Sequence, residues 1–137
     1  MSDNKALLRN FFDTMNTGSL EAVEAAIDQG YAENIIYHGM GDELSGRDGM
    51  KALVGGYMTA FPDMKISVES QVEEGDMLVT RFVAQGINTG EFQGQPSTGK
   101  RVRMQLISMT RIVDGQIVEE WEEGDLLGLL KQLGLAS

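Results

Sequence analysis

The segment that decides the fold is RIVDGQIVEEWEEGD, residues 111–125. Asp114-Gly115 is a two-residue turn signal between two runs rich in β-branched residues, and this pattern predicts a tight antiparallel hairpin. Because turn type sets strand register, Ile112 is expected to oppose Ile117, and Ser108 to oppose Trp121. The last strand should then carry an inner stripe that consists of Ile117, Glu119, Trp121, Glu123 and Asp125.

Asp125 ends this expected stripe, and the same register places it opposite Met104. Desolvation raises the pKa of a carboxyl group towards neutral pH, where it can act as a general acid or base. Asp is also a common N-cap residue, and the stretch LLGLLKQLG (126–134) that follows is typical of a short amphipathic helix. Both roles, proton transfer and helix capping, therefore stay open for Asp125.

The residues before this hairpin predict further strands and three helices. Period-two alternation from Met64, a turn at Glu74-Gly75 and a returning run from Met77 predict another antiparallel hairpin. Earlier in the chain, apolar residues recur at helical spacing in three segments, and Pro62 ends the third. Three helices followed by two long hairpins indicate an α+β fold with the helices on one face of the sheet. We expect a single domain over residues 1–137.

Two charged or titratable side chains, Arg81 and His38, are candidates for binding a substrate. Arg81 interrupts an apolar stripe and is expected to face Val68, so its guanidinium needs a carboxylate or a ligand as partner. If the partner of Arg81 is Glu119, the two side chains form a structural ion pair and Arg81 does not bind a ligand. His38 closes the strand candidate NIIYH (34–38), where it could bind a ligand or form an ordinary hydrogen bond.

Apolar and soft side chains could form either a core or a ligand pocket. The chain has nine Met residues, whose flexible thioethers adapt to irregular apolar shapes. They line a pocket only if the sheet curves away from the helices, and otherwise they are core. The candidate substrate-binding residues, besides His38 and Arg81, are Phe61, Met104, Ser108 and Trp121.

Composition excludes several classes of function. The 137 residues carry a net charge of −10, with 21 acidic against 11 basic residues, and such a field repels nucleic acid. The absence of Cys and the single His exclude thiol catalysis and a multi-histidine metal centre within one chain. No apolar run approaches the roughly 20 residues of a membrane helix. We expect no membrane partner, no cofactor and a cytoplasmic location.

The stretch GQPSTGKR (94–101) differs at one position from the phosphate-binding loop G-x-x-x-x-G-K-[ST]. Arg101 stands where a hydroxyl would hold Mg²⁺, and Pro96 removes one backbone amide. A predicted strand follows Lys100, whereas a phosphate cradle needs a helix there. We interpret the stretch as a turn between strands.

Five segments in this order resemble the SnoaL-like polyketide cyclase (ester cyclase) family. They are AFPDM (60–64), EEGD (73–76), NTGEFQGQPSTGKRV (88–102), RIVDGQIVEEW (111–121) and DLLGLLKQLG (125–134). The resemblance implies a cone-shaped, cystatin-like α+β barrel, in which a bent antiparallel sheet wraps a pocket capped by three N-terminal helices. It also implies a cofactor-free intramolecular aldol condensation that closes a ring in a polyketide ester.

The resemblance assigns an acid/base role to an aspartate at the end of the last strand, and Asp125 matches it. Aromatic cyclases of the family also place a histidine on a nearby strand, whereas residues 101–113 contain none. We therefore hypothesise an enzyme for a small hydrophobic carbonyl-containing ligand, in which Asp125 takes a proton and Arg81 or His38 polarises an oxygen. A non-catalytic binding protein on the same fold, or a hydroxylase or isomerase of the family, stays open as an alternative.

The outer face of the last hairpin predicts a homodimer. It should expose apolar side chains between charged ones, and an exposed apolar patch usually marks an interaction site. Alternating Arg and Glu could pair across a two-fold axis. The residues expected on this face are Ile107, Met109, Val113 and Val118, interleaved with Arg103, Arg111, Glu120 and Glu122.

Overall fold

The structure is a computed structural model that describes residues 2–137, and it confirms the α+β class. Within that range, no helix has the length and apolar character needed to cross a membrane. The elements in chain order are α1 (Asp3–Met15), α2 (Leu20–Gly30), β1 (Tyr31–Gly39), β2 (Asp42–Ser45), α3 (Gly46–Ala60), β3 (Lys65–Glu74), β4 (Met77–Ile87), β5 (Arg101–Val113), β6 (Gln116–Gly124) and α4 (Leu126–Gln132).

Local signals set the helix ends. The side chain of Ser2 accepts a hydrogen bond from the Lys5 amide at the start of α1, and Ser19 caps α2 in the same way. Pro62 follows α3 directly after the C-cap residue Phe61. The helices bury apolar stripes against the sheet, where Leu8 and other side chains are almost fully excluded from solvent.

The six strands form one curved sheet in the order β2-β1-β6-β5-β4-β3. Neighbouring strands are antiparallel except β1 and β6, which pair in parallel. Helices α1, α2 and α3 cover the inner face, and the opposite face is the outer face. The parallel pairing of β1 with β6 matters for the site, because it brings side chains of β1 next to those of β6.

Strand β6 leaves the expected register after Ile117. Ile112 pairs with Ile117 as predicted, but Arg111 pairs with Glu119, so Val118 is an extra residue on β6. A bulge of this kind exchanges the two faces of the strand for all later residues. The predicted inner positions of Glu119, Trp121, Glu123 and Asp125 were therefore wrong, and Glu120 and Glu122 face inward in their place.

A second bulge corrects the position of Arg81. Val68 pairs with Phe82 rather than with Arg81, and Ser70 pairs with Arg81, so Glu69 is the extra residue on β3. Arg81 is exposed on the outer face, while Phe82 is buried on the inner face. The prediction failed because β4 carries apolar side chains on both faces.

The loop before β5 is a turn, as interpreted from its sequence. Asn88 holds it, since its Oδ1 accepts hydrogen bonds from the amide and hydroxyl of Thr98. Its Nδ2 donates to the carbonyls of Ala60 and Gly90. Strand β5 begins at Arg101, so no helix follows the GQPSTGKR stretch.

Candidate active site

An apolar cavity of about 110 Å³ lies between the inner face of the sheet and helices α1 and α3. A single water needs roughly 10–15 Å³ measured in the same way, so the cavity has room for a larger ligand. Phe61 and Met104, both predicted to bind substrate, line its wall. Five of the nine methionines also do so, namely Met15, Met40, Met50, Met64 and Met104.

Two carboxylates project from β6 into this cavity. Glu120 is only 5% exposed, and its Oε1 accepts a hydrogen bond of 3.1 Å from the hydroxyl of Tyr31. Glu122 accepts a bond of 2.7 Å from the hydroxyl of Tyr37. Both tyrosines belong to β1, so the parallel β1–β6 pairing gives each carboxylate its own phenol donor.

Gly39 makes room for the Tyr37–Glu122 contact. A Cβ atom at residue 39 would lie 2.5 Å from the Tyr37 hydroxyl and 2.7 Å from the Glu122 carbonyl oxygen. Neither distance is compatible with a side chain unless the neighbours move. A glycine at the end of β1 is therefore part of the site's construction.

Burial raises the pKa of Glu120 to about 8, and the nearby charge of Glu122 acts in the same direction. Burial also raises the pKa of Glu122, against the opposing effect of its hydrogen bond from Tyr37. Two like-charged carboxyls in one low-polarity site lose their protons one after the other, as a linked pair. Near neutral pH, such a pair can hold one proton and accept another.

The tyrosines around the pair remain hydrogen-bond donors. Burial raises the pKa of the Tyr31 and Tyr37 phenols, and the charges of Glu120 and Glu122 raise it further. Tyr57 lines the cavity from α3, and burial and the charge of Glu122 raise its pKa as well. All three phenols are therefore protonated at neutral pH.

Ser108 lies on the inner face of β5, as expected, but it pairs with Glu122 and not with Trp121. It is 1% exposed, and its Oγ has no hydrogen-bond partner among residues 2–137. An unsatisfied buried hydroxyl costs about 1–3 kcal/mol of stability. The structure thus places this predicted substrate-binding residue beside the carboxylate pair, although not on the cavity wall.

Asp125 lies outside the cavity. Its exposed side chain is the N-cap of α4, where Oδ1 accepts a 2.8 Å hydrogen bond from the Gly128 amide. The inner-face position expected for it was wrong, because the bulge at Val118 shifts the register and β6 ends at Gly124. The capping role is the one that the structure shows, and the acid/base role stays a prediction.

His38, Trp121 and Arg81 are also not brought to the cavity. His38 stacks on Trp121, with ring centroids 5.5 Å apart and an interplanar angle of 18°. Its Nε2 lies 2.8 Å from Glu119 Oε2, and its Nδ1 lies 3.4 Å from Glu43 Oε2. This cluster occupies the outer face, because side chains alternate along β6 and Trp121 lies between the inward-facing Glu120 and Glu122. Glu119, expected as a partner of Arg81, contacts His38 instead.

Comparison with known proteins shows which family shares this architecture. The model of the SnoaL-like polyketide cyclase family matches residues 5–133. The aklanonic acid methyl ester cyclase DnrD of Streptomyces peucetius is 31% identical over 136 residues, which are 98% of this chain and 92% of the relative. The nogalonic acid methyl ester cyclase of Streptomyces nogalater is 30% identical over 121 residues, covering 87% of this chain and 88% of that protein.

Solved structures agree with this match. IdmH of Streptomyces antibioticus, described provisionally as a polyketide cyclase, superposes with a TM-score of 0.78 at 31% identity over 95% of this chain and 97% of its own. A SnoaL-like protein from Jannaschia sp. CCS1 reaches a TM-score of 0.88 over 98% and 94% of the two chains, and at 20% identity it supports the fold alone. The chain belongs to the SnoaL-like polyketide cyclase family and is an enzyme of the cyclase type.

Proposed function

We propose that this enzyme closes a ring in a carbonyl-rich, apolar polyketide ester, with Glu122 and Glu120 as the proton-transfer groups. The observation that carries the proposal is the pair of carboxylates at an apolar cavity, each hydrogen-bonded by a tyrosine of β1. The names of two relatives, cyclases of aklanonic and nogalonic acid methyl esters, support the substrate class.

The two carboxyls have different roles in this proposal. The short hydrogen bond from Tyr37 favours the ionised form of Glu122, which takes a proton from the carbon between two carbonyl groups. Burial keeps the proton on Glu120, which donates it to the oxygen of the carbonyl under attack. One C–H bond and the π bond of the attacked carbonyl break, and one C–C bond and one O–H bond form. Transfer of a proton from Glu122 back to Glu120 restores the pair, so the cycle consumes no other reactant.

Turnover of the two methyl esters tests this assignment. We expect Glu120→Gln and Glu122→Gln each to lower turnover by about 10²–10⁴-fold, the usual contribution of a positioned acid or base. Glu123→Gln is the matched control, since Glu123 neighbours Glu122 on β6 but is exposed on the outer face. Full turnover by both inward variants would contradict the acid/base roles. Failure of the wild-type protein to convert either ester would contradict the substrate class.

We further propose a cytoplasmic homodimer formed through the outer face of the sheet. Ile107 and Val113 are 49% and 44% exposed there, which supports an isologous contact. Trp121 and His38 belong to this face, and Glu120 and Glu122, once expected on it, do not. Light scattering at micromolar concentration should give about twice the 15.0 kDa of one chain. A mass of one chain would contradict the dimer.

A further inference from the structure

The cavity wall carries all three tyrosines of the chain, and the carboxylates use only two of their hydroxyls. Tyr31 donates to Glu120, and Tyr37 donates to Glu122. Tyr57 comes from α3, on the side of the cavity that faces the sheet. Its hydroxyl forms no hydrogen bond with any group in residues 2–137, so its proton is free for a ligand.

Ring closure by an aldol reaction creates a need for such a donor. Proton removal next to a carbonyl leaves an enolate oxygen, and donors aimed at a developing negative charge lower the barrier most effectively. Among the described residues that line the cavity, none is Lys, Arg or His. Arg81 and His38, to which the sequence assigned this role, lie on the outer face. The donor must therefore be a neutral group.

Tyr57 is held in a defined position for this task. Its ring packs on Phe92, with centroids 5.6 Å apart, and its backbone carbonyl accepts the cap hydrogen bond from the Phe61 amide. Burial and the charge of Glu122 raise its pKa, which keeps the phenol protonated. The charge of Asp42 raises the pKa further, and the side chains of Tyr57 and Glu122 both line the cavity.

We propose that Tyr57 is a catalytic residue whose hydroxyl donates a hydrogen bond to the enolate oxygen formed when Glu122 takes the substrate proton. The phenol keeps its proton throughout, so no bond to Tyr57 is made or broken covalently. The inference rests on the proposed function, and it replaces Arg81 and His38 as the group that polarises the oxygen.

The variant Tyr57→Phe removes this hydroxyl and keeps the ring. Turnover of aklanonic acid methyl ester should fall by about 10²-fold, as for loss of one donor from an oxyanion site. The midpoint of thermal unfolding should stay unchanged, because the hydroxyl has no partner in the free protein. Turnover equal to that of the wild type would overturn the proposal.

A binding experiment separates a role in stabilising the enolate from simple packing. The probes are 2-hydroxy-1,4-naphthoquinone, which is an ionised enolate near neutral pH, and its 2-methoxy ether, which is neutral. At about pH 6, where the raised pKa of Glu120 keeps its carboxyl protonated, Tyr57→Phe should bind the enolate about tenfold more weakly and the ether equally well. Equal loss for both probes, or no loss for either, would overturn the role of Tyr57.

The two proposals fail differently. If Glu122→Gln keeps full turnover, the acid/base assignment fails, and the naphthoquinone comparison still reports on the Tyr57 hydroxyl. If Glu122→Gln loses turnover while Tyr57→Phe does not, the carboxylate pair stands and the oxygen donor is wrongly assigned.

Discussion

Strands β5 and β6 pair side by side but differ in where they put their charges. On β5, Arg103 and Arg111 point away from the helices, and the inner face is apolar or hydroxyl-bearing. On β6, the bulge at Val118 turns Glu120 and Glu122 towards the covered face. Charged groups avoid such a face unless they are paired or functional. The contrast between the two strands therefore locates the site more sharply than the cavity does.

Deleting Val118 breaks this contrast most severely. Without the extra residue, the later part of β6 would exchange its faces, and Tyr31 and Tyr37 would lose their partners. We expect a loss of about 4 kcal/mol or more in the free energy of unfolding, measured by urea denaturation. Val118→Ala keeps the bulge and is the control. A deletion no more destabilising than this substitution would contradict the role of the bulge.

The pH dependence of the free energy of unfolding tests whether Glu120 on β6 is buried with a raised pKa. Its pKa is raised from the ordinary 4.5 to about 8 in the folded protein, so between these values the folded state binds a proton that the unfolded state has lost. Stability should fall as pH rises through this window, by up to about 1.4 kcal/mol per pH unit.

Urea midpoints of the wild type and of Glu120→Gln, measured from the acid to the alkaline side of that window, check this prediction. The variant lacks the titrating group, so its stability should depend less on pH over the same range. Parallel curves for the two proteins would mean that Glu120 titrates normally in the fold.

Tyr37→Phe tests how far a hydrogen bond from β1 lowers the pKa of Glu122 on β6. It removes the 2.7 Å hydrogen bond to Glu122, which opposes the effect of burial on the pKa of that carboxyl. We expect the acid limb of the kcat/KM profile to move up by about one pH unit, since a bond to a charged group is worth about 1.5–3 kcal/mol. An unmoved limb would show that Tyr37 does not tune the base.

The smallest effect concerns two neighbouring hydroxyls on β5. Ser108 Oγ has no partner among residues 2–137, whereas Thr110 Oγ1 donates to the Leu78 carbonyl at 3.3 Å. Ser108→Ala should leave the free energy of unfolding unchanged or raise it by up to about 1 kcal/mol, and Thr110→Val should lower it by about 1 kcal/mol. A clear loss of stability in Ser108→Ala would indicate a hydrogen bond that the structure does not contain.

The fold class, the turn at Asp114-Gly115 and the inner face of β5 could be predicted from local patterns. The inner face of β6 could not, because four of the five residues 119–123 are Glu and either register puts carboxylates inward. The register expected from the two-residue turn did not include the bulge at Val118. Tyr31 and Tyr37 could not be linked to the site from the sequence. Strands β1 and β6 pair in parallel and no short turn joins them, so no turn motif predicts their pairing.

The most direct test of the account compares Glu122→Gln with Asp125→Asn in one assay. Asn caps a helix about as well as Asp, so the second variant keeps α4 intact while it removes the charge. We predict that Asp125→Asn retains turnover of the methyl ester within about twofold and that Glu122→Gln loses about 10²-fold or more. The reverse result, with Asp125→Asn inactive and Glu122→Gln active, would contradict the assignment of catalysis to the inward carboxylates of β6.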